Sequence, residues 1–362
     1  EGSKVFAKTV LVDPRFAAAH DNGDIHIHDL DFYATGTLTC CQTDPLKLFA
    51  NGGFNTGHGH LRTPNSIASY AALAAIILQA NQNEQHGGQS IPNFDYAMAP
   101  GVNKSFRKAL RSNLEKYNKY SGKKVDIKIP DDIAYGDTET LKKLKIPETV
   151  IETSNEDVEK QTFQAMEGFI HNLNTMHSRA GAQVPFTSIN FGTDTTPAGR
   201  LVTKNLLDAT DKGLGHGETP IFPISIFKVK EGVNYNPEDP NYDLFKRSME
   251  VSSKRLFPNF TFIDAPFNLK YYKKGDYNTE IATMGCRTRV FSSVFPESDG
   301  IVTGRGNNSF TTINLVRLGI KHGIALKERK EADWTGFYKE LDDLMDLCRD
   351  QILERYEFQA NQ

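Results

Sequence analysis

Val184-Pro185-Phe186-Thr187-Ser188-Ile189-Asn190-Phe191 reads as a strand, rich in β-branched and aromatic residues. Before it, Val158, Thr162, Ala165, Met166, Phe169, Ile170, Leu173 and Met176 recur at helical spacing. They predict a long helix over about 155–177, with Thr153 and Glu156 as its capping box. After it, the pattern predicts a helix near 199–212, a strand over 221–229, a helix near 242–256 and a strand over 260–263. A last strand over 310–315 leads to a helix near 334–355. Strands alternating with helices predict an α/β fold with a largely parallel sheet or barrel.

Towards the N-terminus, residues 66–80 form a helix with Ser66 as its N-cap. It is apolar nearly all round, so it is expected to be buried or to pack against a partner chain. A polar glycine loop over 81–90 and an amphipathic basic helix near Val102 to Tyr117 follow. The charged, proline-punctuated stretch 121–152 reads as an insertion or connector. This predicts two parts, 1–150 and 151–362.

The chain has 362 residues and a net charge of −3, with no basic stripe, which argues against duplex nucleic acid as its partner. Its longest apolar run, Ala71 to Leu78, is too short to span a bilayer, and Glu1-Gly2-Ser3-Lys4 opens no signal peptide. A cytoplasmic protein in a reducing compartment is expected. No GxxxxGK[ST] loop occurs, and the glycine-rich pieces lack dinucleotide-fingerprint spacing.

The four cysteines contain no CxxC pair, so neither a disulfide framework nor a zinc knot accounts for them. Cys348 falls on the helical stripe Leu341, Leu344, Met345, Leu347 and Ile352 and reads as inert core. Cys40-Cys41 and Cys286 sit in polar, turn-like sequence, where reactive and structural roles both stay open. His26 and His28 alternate on a strand and, with His58 and His60, invite a metal reading. No HExxH and no completing carboxylate accompany them, so loop histidines are expected and no metal site is assigned. Gly304-Arg305-Gly306-Asn307-Asn308 reads as a turn whose amides could also bind a hydroxyl.

Taken in order, His26-Ile27-His28-Asp29-Leu30-Asp31-Phe32-Tyr33, Cys40-Cys41, Asn51-Gly52-Gly53-Phe54, Thr63-Pro64-Asn65-Ser66-Ile67 and His86-Gly87-Gly88 resemble the anaerobic (class III) ribonucleoside-triphosphate reductases. So do Pro185-Phe186-Thr187-Ser188-Ile189-Asn190-Phe191-Gly192-Thr193, Thr219-Pro220-Ile221-Phe222-Pro223, Asp239-Pro240-Asn241-Tyr242, Met284-Gly285-Cys286-Arg287 and 304–308.

The resemblance implies a ten-stranded α/β barrel with a central finger loop carrying Cys286 at its tip. It implies that Cys286 becomes a transient thiyl radical, that Cys40 faces the substrate from the first barrel strand, and that Asn308 marks the formate-using branch. Cys41 would then point to the opposite side of its strand as a bystander. His28, Arg62 and Asn65 match positions lining an effector site, although Arg62 and Asn65 depart from the family's residue types. Implied cofactors are a glycyl radical and a zinc site on a C-terminal segment, formate as co-substrate, and magnesium with the nucleotides. Implied partners are ribonucleoside triphosphates, deoxynucleotide and ATP effectors, a radical-SAM iron–sulfur activating enzyme and a second copy of the chain, with no membrane and no nucleic acid. The sequence contains neither the glycyl-radical segment nor an ATP cone, so this piece is expected to be inactive alone. A catalytically silent nucleotide-binding module and, more distantly, a metal hydrolase using His26 and His28 are the competing readings.

Overall fold

The computed structural model describes residues 1–362 except 51, 58, 83–84, 123–124, 179–181, 286–287 and 291–301. In chain order come α1 (Gly2–Phe6), a π-helical turn (Ala7–Leu11), α2 (Pro14–Asp21), β1 (Ile25–Ile27), β2 (Cys40–Gln42), α3 (Pro45–Phe49), β3 (Gly53–Asn55) and β4 (His60–Arg62). Then follow α4 (Ile67–Asn81), β5 (Gln89–Ile91), α5 (Phe94–Tyr120), α6 (Thr138–Lys143), α7 (Glu148–Thr175), β6 (Thr187–Phe191), α8 (Pro197–Lys212) and β7 (Ile224–Val229). The remainder is α9 (Tyr242–Arg255), β8 (Asn259–Phe262), α10 (Pro266–Leu269), β9 (Ala282–Met284), β10 (Thr288–Val290), β11 (Gly306–Asn307), β12 (Thr311–Ile313), α11 (Leu315–His322) and α12 (Trp334–Ala360). The chain divides into two compact units. The expected boundary at 150/151 falls inside α7.

The first unit comprises Glu1–Cys40, Glu84–Gly87 and Gly306–Gln362. Here β1 pairs antiparallel with β12, Ile25 opposite Ile313 and Ile27 opposite Thr311. Its core gathers Ala7, Val12, Phe16, Ile25, Ile27, Leu30, Tyr33 and Cys348. Cys348 is the core thiol expected, and burial raises its pKa.

The second unit comprises Cys41–Asn83 and Gly88–Arg305. Its sheet runs β2-β5-β6-β7-β8, each strand parallel to the next, so spatial order follows chain order as in one wall of an α/β barrel. One face, with Ile91, Ile189, Phe191, Phe227 and Val229, joins the core built with α4, α5, α7 and α8. Burying each such side chain contributes about 1.5–3 kcal/mol. The opposite face is unusual. Gln42, Ser90 and Ser188 are register partners along it, and Asn190 and Lys228 follow by alternation, all buried. Parallel strands buried on both faces are normally apolar on both, so this polar face has another use.

Ser66 caps α4 as expected, its hydroxyl accepting from Ser69 N at 3.3 Å. Two other expectations are corrected. α7 starts at Glu148 and Thr153 lies within it, its hydroxyl bonded to Thr149 O, because threonine satisfies itself on the i−4 carbonyl inside a helix as readily as it caps one. α5 starts at Phe94, before Val102, and runs through Pro100. An interior proline costs about 3 kcal/mol, which the burial of Phe94, Ala97 and Met98 offsets. The described part of stretch 121–152, expected as an insertion or connector, buries Ile129, Ile133, Leu141, Ile146 and Val150 and is held to α5 by Arg107 donating to Ile133 O.

Candidate functional site

Within the first unit, Thr39 secures both Cys40 and Asn308. Its amide donates to Asn307 O at 2.9 Å and its hydroxyl to Asn308 O at 3.0 Å. Residues 85–87 brace the same stretch: His86 N donates to Leu38 O, and Thr37 Oγ1 lies 2.7 Å from His86 Nδ1. Gly87 has to be glycine, because a Cβ there would sit 1.1 Å from Thr39 O. His86 also stacks on Phe32 and hydrogen-bonds Asp29, which holds the Asp29 carboxyl below its ordinary value. Cys40 is half-buried and Asn308 exposed. The structure therefore brings these two predicted residues onto neighbouring stretches of backbone.

Within the second unit, Cys41 is half-buried and its sulfur accepts from Asn81 Nδ2 at 3.0 Å on the helix side of β2. Cys40, one residue earlier, takes the opposite side. The polar sheet face grips the segment that leads to residue 286. The Asn190 side-chain amide both donates to Thr283 O at 2.9 Å and accepts from Thr283 N at 3.0 Å. Ser90 Oγ adds a bond to Thr283 O, and Ser188 Oγ accepts from Gly285 N at 2.8 Å. Gly285 has φ +58°, with a Cβ position 3.0 Å from the Phe186 ring, so the turn favours glycine. Cys286 itself lies outside the described residues.

At the start of this segment stands a buried charge cluster. Glu280 accepts from Lys230 at 2.9 Å and from Thr193 at 2.9 Å, and lies 3.4 Å from Lys228 Nζ. Lys228 also donates to Asn93 at 2.7 Å. Burial lowers the Lys228 pKa. Burial likewise opposes charge on Lys230, but Glu280 outweighs it and the net shift is upward. Nearby, burial and then the Asp194 charge push Asp95 up to about 6.

The remaining predicted residues fall in both units. His28, in the first unit, hydrogen-bonds Thr312, and its ring meets that of His26 at 4.6 Å, so the two histidines do share a side of the chain. His60, the first residue of β4, lies 3.1 Å from Gly52 O through its ring, and His58 lies outside the described residues. Among the described residues no three His, Cys, Asp or Glu side chains are grouped to hold a metal. Arg62 and Asn65, in the second unit, are exposed just before α4.

A family model described as anaerobic ribonucleoside-triphosphate reductase matches residues 1–362. The chain belongs to that family. The reductase of that name from Enterobacteria phage T4 is 32% identical over 358 residues, 98% of this chain and 52% of the relative. The Escherichia coli reductase is 28% identical over 98% of this chain and 43% of the relative. The chain thus spans about half the length of these relatives. The solved anaerobic ribonucleotide reductase from Thermotoga maritima, in complex with dATP and CTP, superposes at a TM-score of 0.58 and 15% identity, covering 96% of this chain and 50% of that one. A further structure of the T. maritima enzyme has dATP in its specificity site, with a TM-score of 0.57 and 14% identity over 96% of this chain. The fold is therefore the α/β fold of the anaerobic ribonucleotide reductases.

The sequence assigned no role to Ser90, nor to Ser188 and Asn190 within the 185–193 motif, yet all three hold the segment up to Gly285. Their signal was there: Ser188 and Asn190 alternate with Ile189 and Phe191 in a strand buried on both faces. Among the described residues no helix is long and apolar enough to cross a membrane.

Proposed function

We propose that this chain is the barrel part of an enzyme that reduces ribonucleoside triphosphates to deoxyribonucleoside triphosphates without oxygen, by thiol-radical chemistry with formate as reductant. The family match over the whole chain carries the reading. The shared anchoring of Cys40 and Asn308 by Thr39 supports it.

Replacing a ribose 2′-hydroxyl with hydrogen needs an unactivated C–H bond to be opened first, which acid–base side chains cannot do and a sulfur radical can. Cys286 is assigned that role, and a glycyl radical, where present, would supply the radical equivalent. Asn190, Ser90 and Ser188 fix the backbone up to Gly285, and such positioning contributes several kcal/mol to barrier lowering. Cys40 supplies hydrogen to the ribose, and Asn308 offers an amide to formate or a hydroxyl without the charge that would repel an anion. In the net reaction the ribose C–O bond and formate's C–H bond break and a ribose C–H bond forms. The hydroxyl takes up one proton and leaves as water, and formate leaves as carbon dioxide, its hydrogen and two electrons making good what the ribose and Cys40 took up. With activated full-length protein, labelled formate is expected to yield labelled carbon dioxide one-for-one with deoxynucleotide. Full turnover on a thioredoxin-like donor with no formate would refute this assignment.

The dATP and CTP bound by the T. maritima protein support nucleotide substrates and effectors here. His28, Arg62 and Asn65 are the effector residues we assign, and a radical-SAM activating enzyme is the partner. A second copy of the chain is assigned to α4. Ala68, Ala72 and Ile76 make an exposed apolar stripe on it. Beside them, Gln164, Gly168 and Asn172 of α7 line a groove of about 210 Å³. Sedimentation of the full-length protein at micromolar concentration is expected to give a dimer that Ile76→Asp weakens; a wild-type monomer would remove the assignment.

A further inference from the structure

We propose that the side-chain amide of Gln42 binds the ribose hydroxyls of the substrate, an inference that rests on the ribonucleotide-reductase reading above. Gln42 is 5% exposed, yet among the described residues neither its Nε2 nor its Oε1 has a hydrogen-bond partner. A buried amide unpaired at both ends is costly and uncommon. The contrast with Gln89, its neighbour one strand over, is direct. On the helix side, the Gln89 amide accepts from Asn81 and donates to Leu78 O and Gln82 Oε1. The fold can thus satisfy a buried glutamine, and at Gln42 it does not.

The position of Gln42 gives the reason. It is in register with Ser90, and Ser90 with Ser188, so all three belong to the polar face that grips Thr283 and Gly285. Gln42 also follows Cys40 by two residues in the same strand, which puts both on one side of it. A carboxamide presents an acceptor and two donors without charge. That set suits a vicinal diol, one hydroxyl donating to Oε1 and the other accepting from Nε2. It suits a phosphate poorly, because the acceptor end would face anionic oxygens. It also leaves the thiol chemistry undisturbed, having no hydrogen that a sulfur radical readily takes.

Gln42→Met in the full-length activated protein tests this, since methionine keeps the volume and removes the amide. The variant is expected to melt at or above the wild-type temperature, because an unpaired polar group has gone. Its kcat/KM for CTP is expected to fall roughly 10- to 100-fold, with equilibrium binding of CTP weakened in step. Unchanged kcat/KM and CTP affinity would overturn the proposal. So would a lowered melting temperature, or failure to fold, because the amide would then be serving the fold, for instance through a bound water. Gln42→Glu, which keeps shape and acceptors but loses the donors and adds charge, is expected to bind CTP worse than Gln42→Met. CTP affinity as good as wild type in Gln42→Glu would equally count against a diol contact. If wild-type protein fails to reduce CTP, the functional reading fails, and the comparison of CTP binding still decides the role of Gln42.

Discussion

Cys40→Ser in the activated full-length protein is expected to abolish deoxynucleotide formation, with a loss of more than about 10³-fold, or about 4 kcal/mol of barrier. Serine has nearly the size of cysteine, and Thr39 holds this strand end through its own amide and hydroxyl. The folded chain should therefore survive. What disappears is a weak S–H bond, replaced by an O–H bond too strong to give up its hydrogen to a carbon radical. Cys286→Ser is expected to fail equally. Cys41→Ser should keep most activity, because the Cys41 sulfur is committed to Asn81 on the other side of the strand. Cys348→Ser should keep it too, at some cost in stability, since that thiol is core. Each is read as deoxynucleotide formed per activated site. Wild-type turnover by Cys40→Ser would remove the thiol chemistry from this strand.

Glu280→Ala is expected to destabilise the protein by about 3–5 kcal/mol, the usual result of stranding a buried charge. Glu280 is 4% exposed and answers both Lys228, which is fully buried, and Lys230. Its removal leaves Lys228 with Asn93 Oδ1 as the only acceptor among its described hydrogen bonds, beside the buried Asp95. Adding Lys228→Met is expected to restore part of the loss, because the stranded charge goes with it; a coupling of this sign distinguishes charge burial from lost packing. The guanidinium midpoint with unchanged slope is the measurement. A shift below about 1 kcal/mol for Glu280→Ala would mean that water or relaxation already serves the lysines. Because Glu280 opens the stretch running to Gly285, the same variant should also lower turnover.

Much of the architecture was legible in local pattern. The strands over 184–191 and 221–229, the helix near 199–212 and the core character of Cys348 follow from apolar periodicity, which the backbone must obey wherever one side is buried. The boundaries failed where tertiary burial outweighed a local signal. The helix expected near Val102 to Tyr117 begins at Phe94 and passes through Pro100, because Phe94 and Met98 gain more from burial than the proline loses. Thr153 and Glu156 read as a cap, but inside the helix the Thr153 hydroxyl donates to Thr149 O instead of accepting from a backbone N–H. The prolines and charges of 121–152 concealed Ile129, Ile133 and Leu141, spaced too irregularly to announce a face.

The sequence by itself determined the family, because ordered short motifs survive along the whole chain. It determined the alternation of strand and helix, because period is a local property. It also singled out Cys40, Cys286 and Asn308, by residue type and motif. Only the tertiary structure decided that Thr39 holds both Cys40 and Asn308, that Asn190, Ser90 and Ser188 anchor the segment up to Gly285, and that Glu280 answers two lysines. These are contacts between residues 50 to 269 positions apart. Which polar side chains meet, and which buried amide is left without a partner, depends on strand order and register, and no local pattern encodes either.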